Sequence, residues 1–86
     1  MERNEIESRV KKVIADVLKM SPDNIAPNAN FIFDLGADSM QSLMLVAGLE
    51  EEFNITMDED KALEVQTVSD AVAFISSVLQ EQEHAK

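Results

Sequence analysis

Residues 33–43 read FDLGADSMQSL and are the most informative stretch of this chain. Gly36 ends a loop there, and Ser39 falls in the first turn of a long predicted helix, directly after Asp38. Serine is one of the commonest residues at a helix start, so its position alone says little about function. The first backbone N–H groups of a helix lack partners, however, and they favour a negatively charged group beside them. Ser39 is therefore a candidate for carrying such a group.

Apolar residues recur at helical spacing on both sides of this stretch, which predicts an all-α protein. The first helix is expected near residues 4–19, with Asn4 and Glu7 as its N-terminal capping pair. The second helix is expected over residues 39–53. Four apolar residues form its predicted core stripe, namely Leu45, Val46, Leu49 and Phe53.

The other elements are shorter or less strongly marked. Residues 20–38 form a long connection that some contact must anchor, because long structureless loops are unusual in a small domain. A short helix is expected over residues 58–63, and a last long helix follows Thr67, whose side chain should pair with Asp70. The predicted fold is a small bundle of three main helices plus one short helix, with a long loop between helices one and two.

The length of 86 residues is that of one small domain spanning 1–86. Its ordered core is expected over about residues 4–80, followed by a frayed polar tail at 81–86. No secretory or membrane-spanning apolar run is present, and the N-terminal segment is charged. A soluble, cytoplasmic protein that acts as a monomer is expected.

The formal net charge is −10, and the charges are unevenly distributed. Five of the seven Lys and Arg residues fall in the first 19 positions, whereas residues 20–60 hold nine acids and no base. An acidic surface favours solubility and attracts basic partner proteins. It repels phosphate groups, so neither nucleic-acid binding nor membrane insertion is expected.

The sequence contains no recognisable catalytic or metal-binding motif. The chain contains no cysteine, so any thioester chemistry needs a sulfur from outside the chain. Hydrolysis by Ser39, Asp38 and His84 is not favoured, because His84 lies in the predicted tail and no G-x-S-x-G elbow is present. The acids at 58–60 lack the twelve-residue calcium-loop pattern. We therefore predict neither an enzyme nor a metal site.

The run DLGADS, residues 34–39, resembles the attachment motif of acyl carrier proteins in register and in its position before a helix. The usual leucine after the serine is here Met40, which is similar in volume. The resemblance covers about residues 4–80. Three further segments are similar to the family's helices in order, namely RVKKVI at 9–14, LEEEF at 49–53 and TVSDA at 67–71.

This resemblance implies a covalent carrier. A phosphopantetheinyl transferase would attach the 4′-phosphopantetheine arm of coenzyme A to Ser39 through a phosphodiester, and the thiol of the arm would hold acyl groups as thioesters. In this family the acid before the serine, here Asp38, helps hold Mg²⁺ at the transferase site, which suits a hard cation. Asp38 and Met40 are thus expected to serve recognition by the transferase. The phosphodiester would lie at a helix N-terminus, where negative charge is favoured.

The resemblance also implies that partners bind along helix two. Glu50, Glu51 and Glu52 keep the family's acidic pattern, and acyl-processing enzymes with basic or mixed apolar docking patches are the expected partners. Gln41 and Met44 stand where the fatty-acid-synthesis members generally carry acids.

An apolar patch beside the serine is a further expectation. Phe33, Met40, Leu43 and Met44 are expected to form it, with Ala47 on the same side, and Phe33 takes a place that is commonly polar in the family. The alternative is that Phe33 or Met44 turns inward. An exposed patch would indicate a dedicated carrier serving one pathway, with a less ionic partner surface than usual.

The cargo is expected to be an acyl intermediate of fatty-acid or related lipid biosynthesis. Its chain would shelter between the helices against Leu45, Val46, Leu49, Phe53, Ala71 and Ile75. Two alternatives stay open at this point. One is a carrier of aminoacyl or polyketide units, and the other is an unmodified, noncovalent interaction module in which Ser39 only caps a helix.

Overall fold

The computed structural model describes residues 2–84. Along the chain it contains α1 (Arg3–Leu18), a 3-10 turn (Pro22–Asn24), α2 (Ser39–Phe53), α3 (Glu59–Glu64) and α4 (Val68–His84). Within this part of the chain there is no strand, although an isolated bridge joins Asn30 to Thr67. The predicted fold class, three main helices and one short one, is confirmed, as are the predicted bounds of α2.

The core forms where α1 packs against both α2 and α4. On α1 the buried residues Ile6, Val10 and Ile14 recur every four positions and face the other two helices. The main contributions of α2 and α4 to the core are Leu45, Leu49, Phe53, Val68, Ala71, Val72 and Ile75. None of the described residues that are buried is polar or charged, so apolar burial dominates the stability. No helix within residues 2–84 is long and apolar enough to cross a membrane.

The first helix begins earlier than predicted. Its N-cap is Glu2, whose side chain makes no capping hydrogen bond, so the predicted capping pair of Asn4 and Glu7 is wrong. Both residues lie inside the helix, and the Glu7 carboxylate instead lies 3.1 Å from Lys11 Nζ, one turn further along. The helix ends in front of Lys19, which adopts a left-handed conformation with φ 55°.

The last helix begins as predicted. The hydroxyl of Thr67 accepts a hydrogen bond from the Asp70 N–H at 3.1 Å, and the Asp70 carboxylate accepts one from the Thr67 N–H at 3.3 Å. This reciprocal capping box is confirmed. The helix then continues to His84, although the sequence predicted a frayed tail from residue 81. Alternating Gln and Glu, which favour helix, explain the extension; residues 85 and 86 lie outside the described residues.

The long loop between α1 and α2 is anchored on the start of α4. The Phe31 N–H donates to the carbonyl of Gln66 at 2.9 Å. The Ser69 N–H and hydroxyl both donate to the carbonyl of Pro27, at 2.9 and 2.7 Å. Ile25 and Phe31 are also buried in the core. Hydrogen bonds and apolar side chains thus fix a loop that has no regular structure of its own.

Candidate functional site

A capping box fixes the start of α2. Asp38 Oδ1 accepts a hydrogen bond from the Gln41 N–H at 2.8 Å, and Gln41 Oε1 accepts one from the Asp38 N–H at 3.2 Å. The two side chains satisfy two of the donors that a helix start leaves open. Because Gln41 is neutral, the box is completed without a second acid, and the first turn of α2 contains no acidic residue.

Ser39 is the first residue of α2, and it is exposed. The capping box uses the N–H groups of Asp38 and Gln41, so the first-turn N–H groups of Ser39 and Met40 have no partner within the described helix. The positive end of the helix dipole lies at the same place. An anionic group on Ser39 Oγ would therefore be stabilised by its surroundings.

Gly36 shapes the approach of the chain to this serine. Its φ of +75° lies in the left-handed region, which residues with a Cβ rarely adopt. The next residue, Ala37, is buried, and its N–H donates to the Phe31 carbonyl at 2.8 Å. The chain is therefore anchored in the core at Ala37, and the next two residues, Asp38 and Ser39, are exposed at the surface.

Two polar side chains hold the turn that precedes the site. Asn30 Oδ1 accepts hydrogen bonds from the N–H groups of Ile32 and Phe33, at 2.9 and 3.0 Å. Asp34 Oδ2 accepts one from the Asn30 N–H at 2.7 Å. Within this turn Phe31 is buried while Ile32 and Phe33 are exposed. The exposure of these two apolar side chains is thus part of an ordered structure.

A cavity of about 390 Å³ is bordered by this turn, α2 and α3, and apolar side chains form most of its wall. Three of the residues expected to shelter an acyl chain line it, namely Leu45, Val46 and Leu49. The other three are buried in the core without lining this cavity, namely Phe53, Ala71 and Ile75. Ala71 and Ile75 belong to α4, which packs against α1. The remaining wall includes Met57, Ala62 and Val65, which the sequence did not single out.

Comparison with known proteins gives this geometry a context. A family model described as "Phosphopantetheine attachment site" matches residues 8–75. An acyl carrier protein of Nitratidesulfovibrio vulgaris strain DP4 is 40% identical over 72 residues, which cover 84% of this chain and 95% of that protein. This chain belongs to the acyl carrier protein family. The acyl carrier protein of the Hildenborough strain of the same species matches equally well.

A solved structure agrees with this assignment. The acyl carrier protein of Enterococcus faecalis superposes with a TM-score of 0.73 at 32% identity, covering 90% of this chain and 98% of that one. Acyl carrier proteins bear a 4′-phosphopantetheine prosthetic group, and the family consists of carriers rather than catalysts. The exposed serine, the open N–H groups and the acid-free first turn fit a phosphodiester at the start of α2.

The outer face of α2 and the turn before it are apolar in this member of the family. Phe33, Met40, Leu43, Met44 and Ala47 are all exposed, so neither Phe33 nor Met44 turns inward. The sequence did not identify Ile32 and Leu63, which are also exposed and line the cavity. Periodicity offers no signal for either, because Ile32 lies in a loop and Leu63 in a helix of six residues.

The three consecutive acids near the end of α2 have different environments. Glu50 is half-buried, and its Oε2 accepts a hydrogen bond from the Met57 N–H at 2.9 Å. Glu52 Oε2 lies 3.8 Å from Arg9 Nη1 on α1. Glu51 is exposed. Within the described part of the chain, no three His, Cys, Asp or Glu side chains are grouped so as to hold a metal ion.

Proposed function

We propose that this chain is an acyl carrier, not an enzyme, with its 4′-phosphopantetheine arm attached to Ser39 Oγ. The observation that carries the proposal is an exposed serine at the start of α2, directly after Asp38, within the family's attachment motif. The arm would supply the terminal thiol for thioester formation, which a chain without cysteine cannot provide. In the proposal residues 1–86 act as one carrier domain in the cytoplasm.

The residues around Ser39 have separate roles in this proposal. Attachment forms the bond from Ser39 Oγ to phosphorus as the phosphoanhydride bond of coenzyme A breaks. Adenosine 3′,5′-bisphosphate is the leaving group, and the hydroxyl proton passes to the transferase. Asp38 uses Oδ1 for the capping box, while Oδ2 takes no part in that box and suits a hard cation such as Mg²⁺ at the transferase site. Met40 is exposed beside Ser39, where the transferase would meet it.

The proposed cargo is a fatty acyl chain. The cavity lined by Leu45, Val46 and Leu49 is mostly apolar and lies along the helix that Ser39 begins. Each buried methylene group of a ligand is worth about 0.8 kcal/mol, so such a cavity favours an alkyl chain over a charged aminoacyl group. The proposal does not rest on Phe53, Ala71 or Ile75, which do not line the cavity.

Intact-mass measurement tests the attachment. The chain is incubated with coenzyme A, Mg²⁺ and a phosphopantetheinyl transferase of broad specificity. The wild type should gain the mass of one arm, and Ser39→Ala should gain none. Ser77→Ala is the matched control, because Ser77 is exposed on α4, away from the motif, and this variant should be modified like the wild type. No gain in the wild type, or a gain that persists in Ser39→Ala, would overturn the proposal.

A further inference from the structure

The surface around Ser39 is unusually apolar for a chain with a net charge of −10. Phe33 is 87% exposed, and Met40 and Leu43 are each 71% exposed. Met44 and Ala47 follow Met40 by one and two helical turns and therefore share its side of α2. We call Phe33, Met40, Leu43, Met44 and Ala47 the apolar face. Soluble monomers rarely leave so many apolar side chains together in water without an interaction to make.

The protein holds part of this face in place. Asn30 Oδ1 accepts the N–H of Phe33 at 3.0 Å, and Asp34 Oδ2 accepts the N–H of Asn30 at 2.7 Å. A partner that covers Phe33 therefore has to order only its side chain, because the backbone of the turn is already fixed. The backbone of this part of the face is thus preorganised for a contact.

Few charged groups on α2 itself are free to meet a partner. Gln41 is neutral and occupied by the capping box, Glu50 binds the Met57 N–H, and Glu52 lies beside Arg9. Glu51 is left as the exposed acid among the three at the end of α2. Exposed ion pairs contribute little to binding free energy, whereas covering a large apolar side chain contributes more. Apolar contact should therefore dominate docking at this face.

We propose that the enzymes acting at Ser39 dock on the apolar face through a complementary apolar depression, with only peripheral basic groups facing Asp34 and Glu51. The inference rests on the proposed function, because an arm on Ser39 brings any enzyme that uses it onto the surrounding surface. The face is continuous with Ser39 itself, since Met40 follows it in α2. Charge complementarity agrees, because Asp34, next to Phe33, and Glu51, one helical turn after Ala47, are exposed acids.

The experiment measures how a broad-specificity phosphopantetheinyl transferase, as the docking probe, uses the unmodified chain. Leu43→Gln/Met44→Gln makes the face polar while keeping good helix formers of similar size. We expect KM for this double variant to rise about tenfold with little change in kcat. Glu51→Gln should raise KM less than the double variant does. Ala73→Gln, at an exposed position of α4, is the matched control and should leave KM unchanged.

Salt and oligomeric state complete the test. KM for the wild type should change less than about twofold between roughly 0.05 and 0.5 M NaCl, because screening acts on exposed charges rather than on apolar contacts. Docking by charge would show the reverse, with salt and Glu51→Gln raising KM more than the double variant does. A wild type that sediments as a dimer, and as a monomer once Leu43 and Met44 are replaced, would assign the face to a second copy and overturn the proposal.

Failure of this inference is distinguishable from failure of the carrier function. If docking is ionic, Ser39 still gains the arm and only the pattern of KM values changes. If the chain is not a carrier, no mass gain occurs at any protein concentration. Thermal unfolding of each variant confirms that exposed substitutions have left the fold intact.

Discussion

At the scale of single residues, the position of Ser39 depends on its neighbours in the chain. Gly36 allows the chain to turn, and Ala37 anchors it in the core. Asp38 and Gln41 then start the helix with a capping box. Each of these residues has a local role that a single substitution can probe.

Gly36→Ala is expected to lower the free energy of unfolding by about 1–2 kcal/mol. A Cβ at φ +75° is unfavourable, and because nothing lies within 4 Å of it, the cost comes from the backbone and not from a clash. Gly36→Asn should cost less, since asparagine tolerates the left-handed region. Urea unfolding of the three proteins measures the difference. Equal losses for Ala and Asn would contradict this explanation.

Gln41→Ala and Gln41→Glu should have different effects on stability. Alanine removes half of the capping box and should cost about 0.5–1 kcal/mol, whereas glutamate can still accept the Asp38 N–H. Glutamate also adds a negative charge in the first turn, which the helix dipole favours. Thermal melts compare the variants with the wild type. A Gln41→Glu protein as unstable as Gln41→Ala would show that the side-chain hydrogen bond contributes nothing.

At the scale of elements, Gly48 sets how closely α1 and α2 pack. A Cβ added at Gly48 would lie 2.8 Å from Val13 Cγ1, closer than real Cβ contacts. Val13 is itself buried. Glycine inside a helix normally costs about 1 kcal/mol relative to alanine. Here the absence of a Cβ at Gly48 lets α1 pack closely against α2, which offsets the cost in helix propensity.

A double-mutant cycle tests this contact. Gly48→Ala alone should destabilise the protein slightly or leave it unchanged, because overpacking of about 1–3 kcal/mol offsets the gain in helix propensity. In a Val13→Ala background the same substitution should be stabilising, since the clashing methyl group is gone. Urea unfolding of the four proteins gives the coupling energy, expected to be about 1–2 kcal/mol. Additive effects would mean that the two helices adjust without strain.

The cavity beside α2 should bind an acyl chain carried by the arm and so raise the melting temperature. A carrier loaded with a medium-length acyl chain should melt several degrees higher than one with a free-thiol arm, at about 4–8 °C per kcal/mol for a domain of this size. In Ala62→Phe the added ring would fill the cavity, since Ala62 lies in its wall. The acyl chain should then raise the melting temperature by less than half as much as it does in the unsubstituted protein. Differential scanning calorimetry compares loaded and unloaded forms. An equal rise in melting temperature for the wild type and Ala62→Phe would show that the acyl chain binds elsewhere or stays in solvent.

At the scale of the whole molecule, charge repulsion opposes folding. The chain has seventeen acids against seven Lys and Arg residues, and its described ion pairs are exposed or half-buried. Such pairs contribute little, while the excess negative charge destabilises the compact state. The stability should therefore depend on the ionic conditions more than on any one pair.

Millimolar Mg²⁺ or Ca²⁺ is expected to raise the melting temperature by screening this charge and binding weakly. NaCl at higher concentration should give a comparable rise, because the described acids form no group of three that could hold an ion. Thermal melts across the two salt series provide the measurement. A melting temperature that stays constant in millimolar divalent cations would disprove the prediction. A rise that only Ca²⁺ produces would instead indicate a specific site.

Several local features of this protein can be predicted from its sequence alone. The bounds of α2, the capping box at Thr67 and Asp70, and the place of Ser39 at a helix start after Asp38 all depend on residues within a few positions of one another. Helical periodicity and capping act over such distances, so they can be identified without a fold.

The fold, in contrast, sets which loop side chains stay exposed and which helical acids meet another element. Phe33 stays exposed because a turn holds it outward, and Glu50 faces inward because its carboxylate binds the Met57 N–H. The cavity wall combines parts of α2 and α3 with the loop before Ser39. These features depend on contacts between segments that are distant in the chain, and their geometry is set by packing, which no local pattern encodes.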